Sequence, residues 1–152
     1  MKTFKQISVK VKRINISAED QSIYKTKLDS PESVTLMARS ILGDTDQESC
    51  FVVPLDVKNK PLGIQVVGLG GPDSCPVNPR MVFRSAILLG ASGIIVIHNH
   101  PSNDTTPSKE DIDLTKALIE GSKILGITFL DHVIVTDETY KSLRQDCSEL
   151  WY

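Results

Sequence analysis

At 152 residues the chain has the length of one ordinary domain, enough for a single core and short of two. Its 40% hydrophobic and 24% charged residues exclude a disordered chain, and a net charge of −2 gives no overall attraction to nucleic acid or to an anionic membrane surface. No apolar run approaches the roughly 18 residues of a spanning helix, and MKTFKQISVKVKR at the start lacks the apolar segment of a signal peptide, so a cytoplasmic location is expected.

Phe4 to Ile16 begins as an alternation, with Ile7, Val9 and Val11 opposed to Ser8, Lys10 and Lys12, and predicts a strand. The apolar phase slips at Ile14 and Ile16, which predicts a bulge or the strand's end before a polar loop. Ser30 and Pro31 read as an N-cap and first helical residue, with Val34, Met37, Ala38 and Ile41 at helical spacing up to Gly43. SCFVVPLDV and LGIQVVGL, separated by KNKP, predict a hairpin, and Pro54 places its strand at an edge or a bulge. GLGGPDSCPVNP reads as plain loop, since it lacks both the Walker lysine and the GxGxxG spacing.

Asn78-Pro79 opens a second helix that Gly90 closes. The apolar run GIIVI before His98 has the length of a strand buried on both faces. Leu114, Ala117, Leu118, Gly121 and Leu125 mark one side of a third helix. Ile127 to Thr136 supplies another strand and DETYKSLRQD a short terminal helix. Alternating strands and helices predict an α/β layered domain with helices packed on a central sheet. Residues 1–29 are expected to be a strand and polar loop of the same domain, and 30–152 its body. Cys50, Cys75 and Cys147 form no CxxC pair and no disulfide framework, so they read as reduced thiols.

The stretch VIHNHPSNDTTPSKED concentrates the chemistry. Histidines at i and i+2 of an extended segment share one face, so His98 and His100 present their imidazoles to one point while Asn99 turns away. Asp111 returns after a loop stiffened by Pro101 and Pro107. Two histidines and a carboxylate leave tetrahedral zinc one open position, the pattern of a catalytic rather than a structural site. The plainer reading is that Ser108 and Asp111 form a helix cap, with the histidines as ordinary polar groups at a strand end. The joint spacing HxHx7SxxD weighs against that, since a chance match is on the order of one in thousands at average composition.

These residues resemble the signature of the JAB/MPN metalloproteases, the JAMM proteins. HNHPS, TPS.ED, GDxDQE at 43–48, NPRxVFRxAI at 78–87 and LGIxxLDHxIVTD at 125–137 resemble the RadC branch across Pro31 to Arg144. The resemblance implies a curved mixed sheet flanked by helices, related to the zinc deaminases. It also implies one Zn2+ held by His98, His100 and Asp111. It gives Glu48 the role of general acid and base, and Ser108 that of hydrogen-bond donor to the oxyanion. Without the resemblance Glu48 would read as a solvated surface group. The chemistry does need such a group, because something must accept the proton as water attacks an amide carbonyl.

The expected function is therefore that of a zinc metallopeptidase or isopeptidase acting on a peptide or an isopeptide-linked protein. The alternative is a non-catalytic JAB/MPN-type interaction module in a DNA-processing or mobile-element setting. Longer RadC-like proteins carry an N-terminal helix-hairpin-helix region, which the strand-like head here does not match, so nucleic acid is not an expected partner. RadC-like chains usually have His where this one has Asn78, a position expected not to be a ligand. Cys75 reads as an inert thiol, the alternative being a fourth ligand that closes the open position. His132, paired by alternation with Ile134, reads as a satisfied core histidine or a support for the ligands. A nucleoside deaminase is excluded, because it needs a PCxxC that is missing.

Overall fold

The computed structural model describes residues 24–42, 46–70 and 76–152. Helix α1 (Pro31–Leu42) is followed by β1 (Ser49–Leu55), β2 (Gln65–Leu69), α2 (Pro79–Leu89), β3 (Gly93–Asn99), α3 (Lys109–Leu125), β4 (Thr128–Val135), β5 (Tyr140–Ser142) and α4 (Leu143–Asp146), with a 3-10 turn at Ser148–Leu150. The strands form one open mixed sheet in the order β2-β1-β3-β4-β5. Among the described residues only β3 and β4 run parallel. Parallel neighbours need a crossover, and α3 supplies it. The chain is thus a small α/β domain with a five-stranded mixed sheet flanked by helices.

Each face of the sheet has its own core. Cys50 and Val52 of β1, Ile94 and Val96 of β3 and Phe129 of β4 pack against Val82, Phe83 and Ala86 of α2 and Leu118 and Ile119 of α3. Phe51, Val53, Leu55, Ile95, Ile97, Val133 and Val135 pack on the opposite face against Val34, Met37 and Ala38 of α1. Residues of β3 alternate between the two cores and all seven are buried, as a central strand covered on both faces requires.

A register shift between Ile94 and Ile95 decides what lies beside His98. Ile94 pairs with Phe129, but Ile95 pairs with Asp131, so β4 carries one extra residue there. That residue shifts the alternation of β4 by one position. Val96 then pairs with His132 and His98 with Ile134, and His132 shares the face of His98.

The caps that set the helix limits are in place. The Ser33 amide donates to Ser30 Oγ at the start of α1, and Asn78 Oδ1 accepts from the Arg80 amide at the start of α2. Gly90 and Gly126 close α2 and α3 in the left-handed conformation, at φ 62° and 66°. Three expectations need correction. The strand containing Pro54 is interior, between β2 and β3, and the irregularity lies opposite Cys50/Phe51, where β2 carries the extra residue Val67. Proline is tolerated because pairing with β2 ends at Val52; beyond it the Pro54 carbonyl accepts from the Leu62 amide at 2.8 Å, and the proline nitrogen faces that same side. DETYKSLRQD is half strand, because Tyr140–Ser142 pair with Val133–Val135 before α4 begins. The buried side of α3 is Asp111, Thr115, Leu118 and Ile119, whereas Ala117 and Leu125 are exposed. The strand expected at Phe4–Ile16, Gly43 and Cys75 lie outside the described residues. Among the described residues no helix is long and apolar enough to cross a membrane.

Candidate metal centre

The carboxyl end of β3 carries His98, and His100 follows immediately after the strand, its amide donating to Val135 O at 3.0 Å. Strand ends of this kind are where α/β sheets build ligand sites. The loop that follows turns on Asn103, at φ 61°, and is tied to β4's far end by Asn103 Oδ1, which accepts from the Asp137 amide at 3.3 Å. It delivers Ser108 as N-cap of α3 and Asp111 in the helix's first turn. Asp111 Oδ1 lies 2.7 Å from His98 Nδ1, and Oδ2 lies 3.5 Å from His100 Nε2.

Ser108 and Asp111 form a complete capping box. The Asp111 amide donates to Ser108 Oγ at 3.0 Å, and Asp111 Oδ2 accepts from the Ser108 amide at 2.8 Å and from its hydroxyl at 2.7 Å. Capping and site-building are therefore done by the same two residues. The cap fixes the carboxylate that faces the histidines.

Glu48 arrives from the other side, one residue before β1, with Oε1 2.6 Å from His98 Nε2. Antiparallel pairing of Ser49 with Asn99 and Cys50 with His98 places it there. Asn99 then brackets it: the Ser49 amide donates to Asn99 Oδ1 at 2.7 Å, and Asn99 Nδ2 donates to Gln47 O at 3.1 Å. The Glu48 carbonyl itself accepts from the Gly70 amide at 2.9 Å. The sequence singles out Asn99 only as the residue facing away, yet it holds both neighbours of Glu48.

These groups open on a cleft of about 790 Å³. Pro76, Val77, Leu114 and Ala117 give it apolar walls, and the exposed carboxylates of Glu110 and Asp113 line it beside the site. Asn78 is not among its lining residues and serves as the cap of α2.

The sequence model of the RadC-like JAB domain family matches residues 28–148. The chain belongs to this family. It is 40% identical over 122 residues to a UPF0758 protein of Methanosarcina mazei, covering 80% of this chain and 53% of that protein. It is 41% identical over 134 residues to one of Caldanaerobacter subterraneus subsp. tengcongensis (88% and 56%), and 42% identical over 127 residues to one of Trichormus variabilis (84% and 52%). The chain thus spans about half the length of the curated relatives it matches.

In this RadC-like JAB domain the hydrogen bonds place a proton on Nδ1 of both histidines. His100 Nδ1 lies 2.8 Å from the Asp104 carbonyl, which can only accept, so Nδ1 carries the proton. His98 Nδ1 faces the Asp111 carboxylate in the same way. Burial is the largest influence on Asp111 and pushes its pKa up. Hydrogen bonds from His100, His98 and Ser108 outweigh it and hold the carboxyl well below the usual range, so Asp111 is an acceptor only. Burial alone would lower His100, but its bonds to Asp111 and Asp104 and the charges of Asp111 and Glu48 raise it.

With Nδ1 engaged, each of these histidines turns Nε2 toward the centre, His98 beside Glu48 and His100 beside Asp111, where a bound cation would take the place of any proton on it. His98 Nε2 is buried without a hydrogen bond of proper geometry, although Glu48 Oε1 is in contact with it. Left unprotonated, that nitrogen sets a lone pair against a carboxylate oxygen, and an orphaned buried acceptor costs about 1–3 kcal/mol. A cation among these groups removes both penalties. Histidines that donate Nδ1–H to a carboxylate or carbonyl and offer Nε2 are the usual presentation of metal ligands. Glu48, His98, His100 and Asp111 thus form a possible metal-binding group. Among the described residues, ligand atoms of Glu48, His98 and His100 lie within 4.8 Å of one another, and so do those of His98, Asp111 and His132.

His132 is the core histidine that the sequence offers, beside the ligands, but it is only half satisfied. Its Nδ1 is bonded to Thr115 Oγ1 at 2.8 Å, but its Nε2 is buried with no partner. Burial in this apolar layer, reinforced by the neighbouring His98, lowers its pKa to about 3, so the ring is neutral.

Proposed function

We propose that the protein is a zinc-dependent metallopeptidase or isopeptidase of the cytoplasm. The observation that carries this reading is the convergence of Glu48, His98, His100 and Asp111 from three separate segments at the floor of one cleft. His98, His100 and Asp111 would hold the ion, a nitrogen and oxygen donor set that suits Zn2+ and leaves a coordination position open. Bound there, zinc supplies a water of lowered pKa and polarises an amide carbonyl.

The chain's own residues do the rest. Glu48 accepts the proton of the attacking water and passes it to the departing amine, the two halves of general acid and base catalysis. Ser108 donates to the oxygen of the scissile carbonyl as negative charge develops on it. Its hydroxyl proton rests on Asp111 Oδ2, so this role requires the hydroxyl to rotate while its oxygen continues to cap α3. The apolar walls at Val77, Leu114 and Ala117 exclude water beside the reacting bond and receive an extended peptide or the tail of an isopeptide-linked protein.

The test pairs metal content with cleavage of a peptide and isopeptide library. Purified full chain is expected to hold one zinc and to cleave, His98→Ala and Asp111→Ala to lose the ion, and Glu48→Ala to keep the ion while losing at least a hundredfold in turnover. Full zinc retention by both ligand variants rejects the site. Cleavage unaffected by Glu48→Ala rejects the mechanism, and zinc binding with no cleavage of any library member favours an interaction module instead. Glu48→Ala is also the variant for trapping the substrate, since it leaves the cleft and ligands in place.

A further inference from the structure

His98 Nε2, at 3% exposure and without a hydrogen bond, marks the floor of the cleft as a place where a ligand is missing. The walls above it carry a sign of their own. Apart from the histidines, every ionisable residue lining the cleft is an acid: Glu48, Glu110, Asp111 and Asp113. No lysine or arginine lines it among the described residues, although the chain has 17 of them against 19 acids. A divalent ion at the floor matches the charges of Glu48 and Asp111. Those of Glu110 and Asp113 then set the sign of the field in the cleft.

Glu110 and Asp113 are exposed, and neither carboxylate has a hydrogen-bond or ion-pair partner among the described residues. Glu110 also favours the N-terminus of α3, as an acid in a first turn does, but Asp113 lies beyond that turn and the helix dipole does not account for it. With Leu114 and Ala117 they stand at i, i+3, i+4 and i+7 of α3, one ridge of the helix along the cleft. The ridge is acidic at the end next to Ser108 and Asp111 and apolar at the other, and Val77 and Pro79 supply further apolar lining. Ala117 is about 10 Å along the helix from Glu110, the length of about three residues of extended peptide.

We propose that Glu110 and Asp113 are specificity-determining residues that select a lysine or arginine side chain beside the scissile bond, with an apolar residue about three positions farther along the peptide. The inference rests on the peptidase reading and names its substrate class. Two carboxylates without partners attract a cationic side chain and repel an acidic one, and the aliphatic stem of Lys or Arg packs on Leu114 while its charged head stays with them.

The experiment uses zinc-loaded full chain and fluorescent peptides carrying Lys, Gln or Glu at each position in turn, with rates taken per bound zinc. A preference of about tenfold or more in kcat/KM for Lys over Glu is expected at one position within about two residues of the cleaved bond. It should fall on KM and weaken in high salt, which screens exposed charges. The charge-reversed double variant Glu110→Lys/Asp113→Lys is expected to prefer Glu at that position, and the neutral pair Glu110→Gln/Asp113→Asn to lose the preference. The neutral pair decides if the reversed one does not fold. An unchanged preference for Lys in the neutral pair, or cleavage with no such preference in the wild type, overturns the inference and leaves the peptidase reading standing. If no peptide is cleaved, that reading fails, and fluorescence anisotropy of the same peptides on the same proteins decides what the cleft takes. Tighter binding of Lys peptides that the neutral pair abolishes supports a basic occupant, and equal or absent binding of Lys and Glu peptides overturns it.

Discussion

Asn99 sits between the two histidines in sequence and works on the opposite side of the strand. Its amide accepts from Ser49 N and donates to Gln47 O, so the backbone on either side of Glu48 is fixed to the strand that carries His98. Asn99→Ala leaves a buried amide unpaired, which costs about 1–3 kcal/mol, and lets Glu48 drift from the metal group. Zinc content is expected to remain near that of the wild type while turnover falls at least tenfold, as misplacement without loss of ligands predicts. Measuring metal content and kcat on one preparation checks this, and parallel loss of both would assign Asn99 to holding the ion instead. Two buried aspartates show opposite linkage at the same scale. Asp111 is held low by its hydrogen bonds, so its contribution to stability is present above the unfolded carboxyl pKa and is lost as pH falls through its folded value. Asp131 is raised, mainly by burial, which outweighs the bonds from Ser142 and the Arg144 amide. Its contribution is present below the unfolded pKa of about 3.9 and is lost as pH rises through the folded one. Asp131→Asn abolishes that titration, so in chelated protein the variant gains stability relative to the wild type between about pH 4 and 7. Urea titrations at the two pH values test it, and a difference independent of pH rejects it.

The elements are legible in the sequence where a local signal ends them. Asn78 and Gly90 bound α2, and Ser108 and Gly126 bound α3, because caps are short-range chemistry that the chain spells out. What escapes is decided by pairing across the sheet. Tyr140–Ser142 has too few residues to show an alternation and becomes a strand only because Val133–Val135 offers it an edge. The candidate site divides the same way. His98, His100, Ser108 and Asp111 fall within 14 residues and are readable together, whereas Glu48 reaches His98 through the β1–β3 register. The place of His132 depends on one extra residue in β4, a bulge that no alternation pattern reveals beforehand. Gly126 gives a direct test of the cap argument, since at φ 66° with no atom within 4 Å of an added Cβ the whole cost of a side chain is conformational. Gly126→Ala is expected to lower stability by about 1–2 kcal/mol and Gly126→Asn by less, measured by urea unfolding. Equal stability of all three proteins would mean that the end of α3 rearranges.

At the scale of the whole molecule the proposed metal group is a cost that folding imposes and that a bound cation would remove. The sheet and α3 bring two carboxylates and three imidazoles into a small volume, with His98 Nε2 and His132 Nε2 both orphaned. The complete set is not assembled in the unfolded chain, where Glu48 lies fifty residues before His98, so an ion that binds the folded state preferentially raises stability by mass action. At a concentration one hundred times its dissociation constant the gain is about 2.7 kcal/mol, or about 5–10 °C in Tm for a domain of this size. Zinc added to chelated protein is expected to raise Tm by that amount and to have far less effect on His98→Ala. Calorimetry of both proteins with and without zinc checks it, and the shift should grow with zinc concentration. An equal shift in both proteins would place the ion elsewhere.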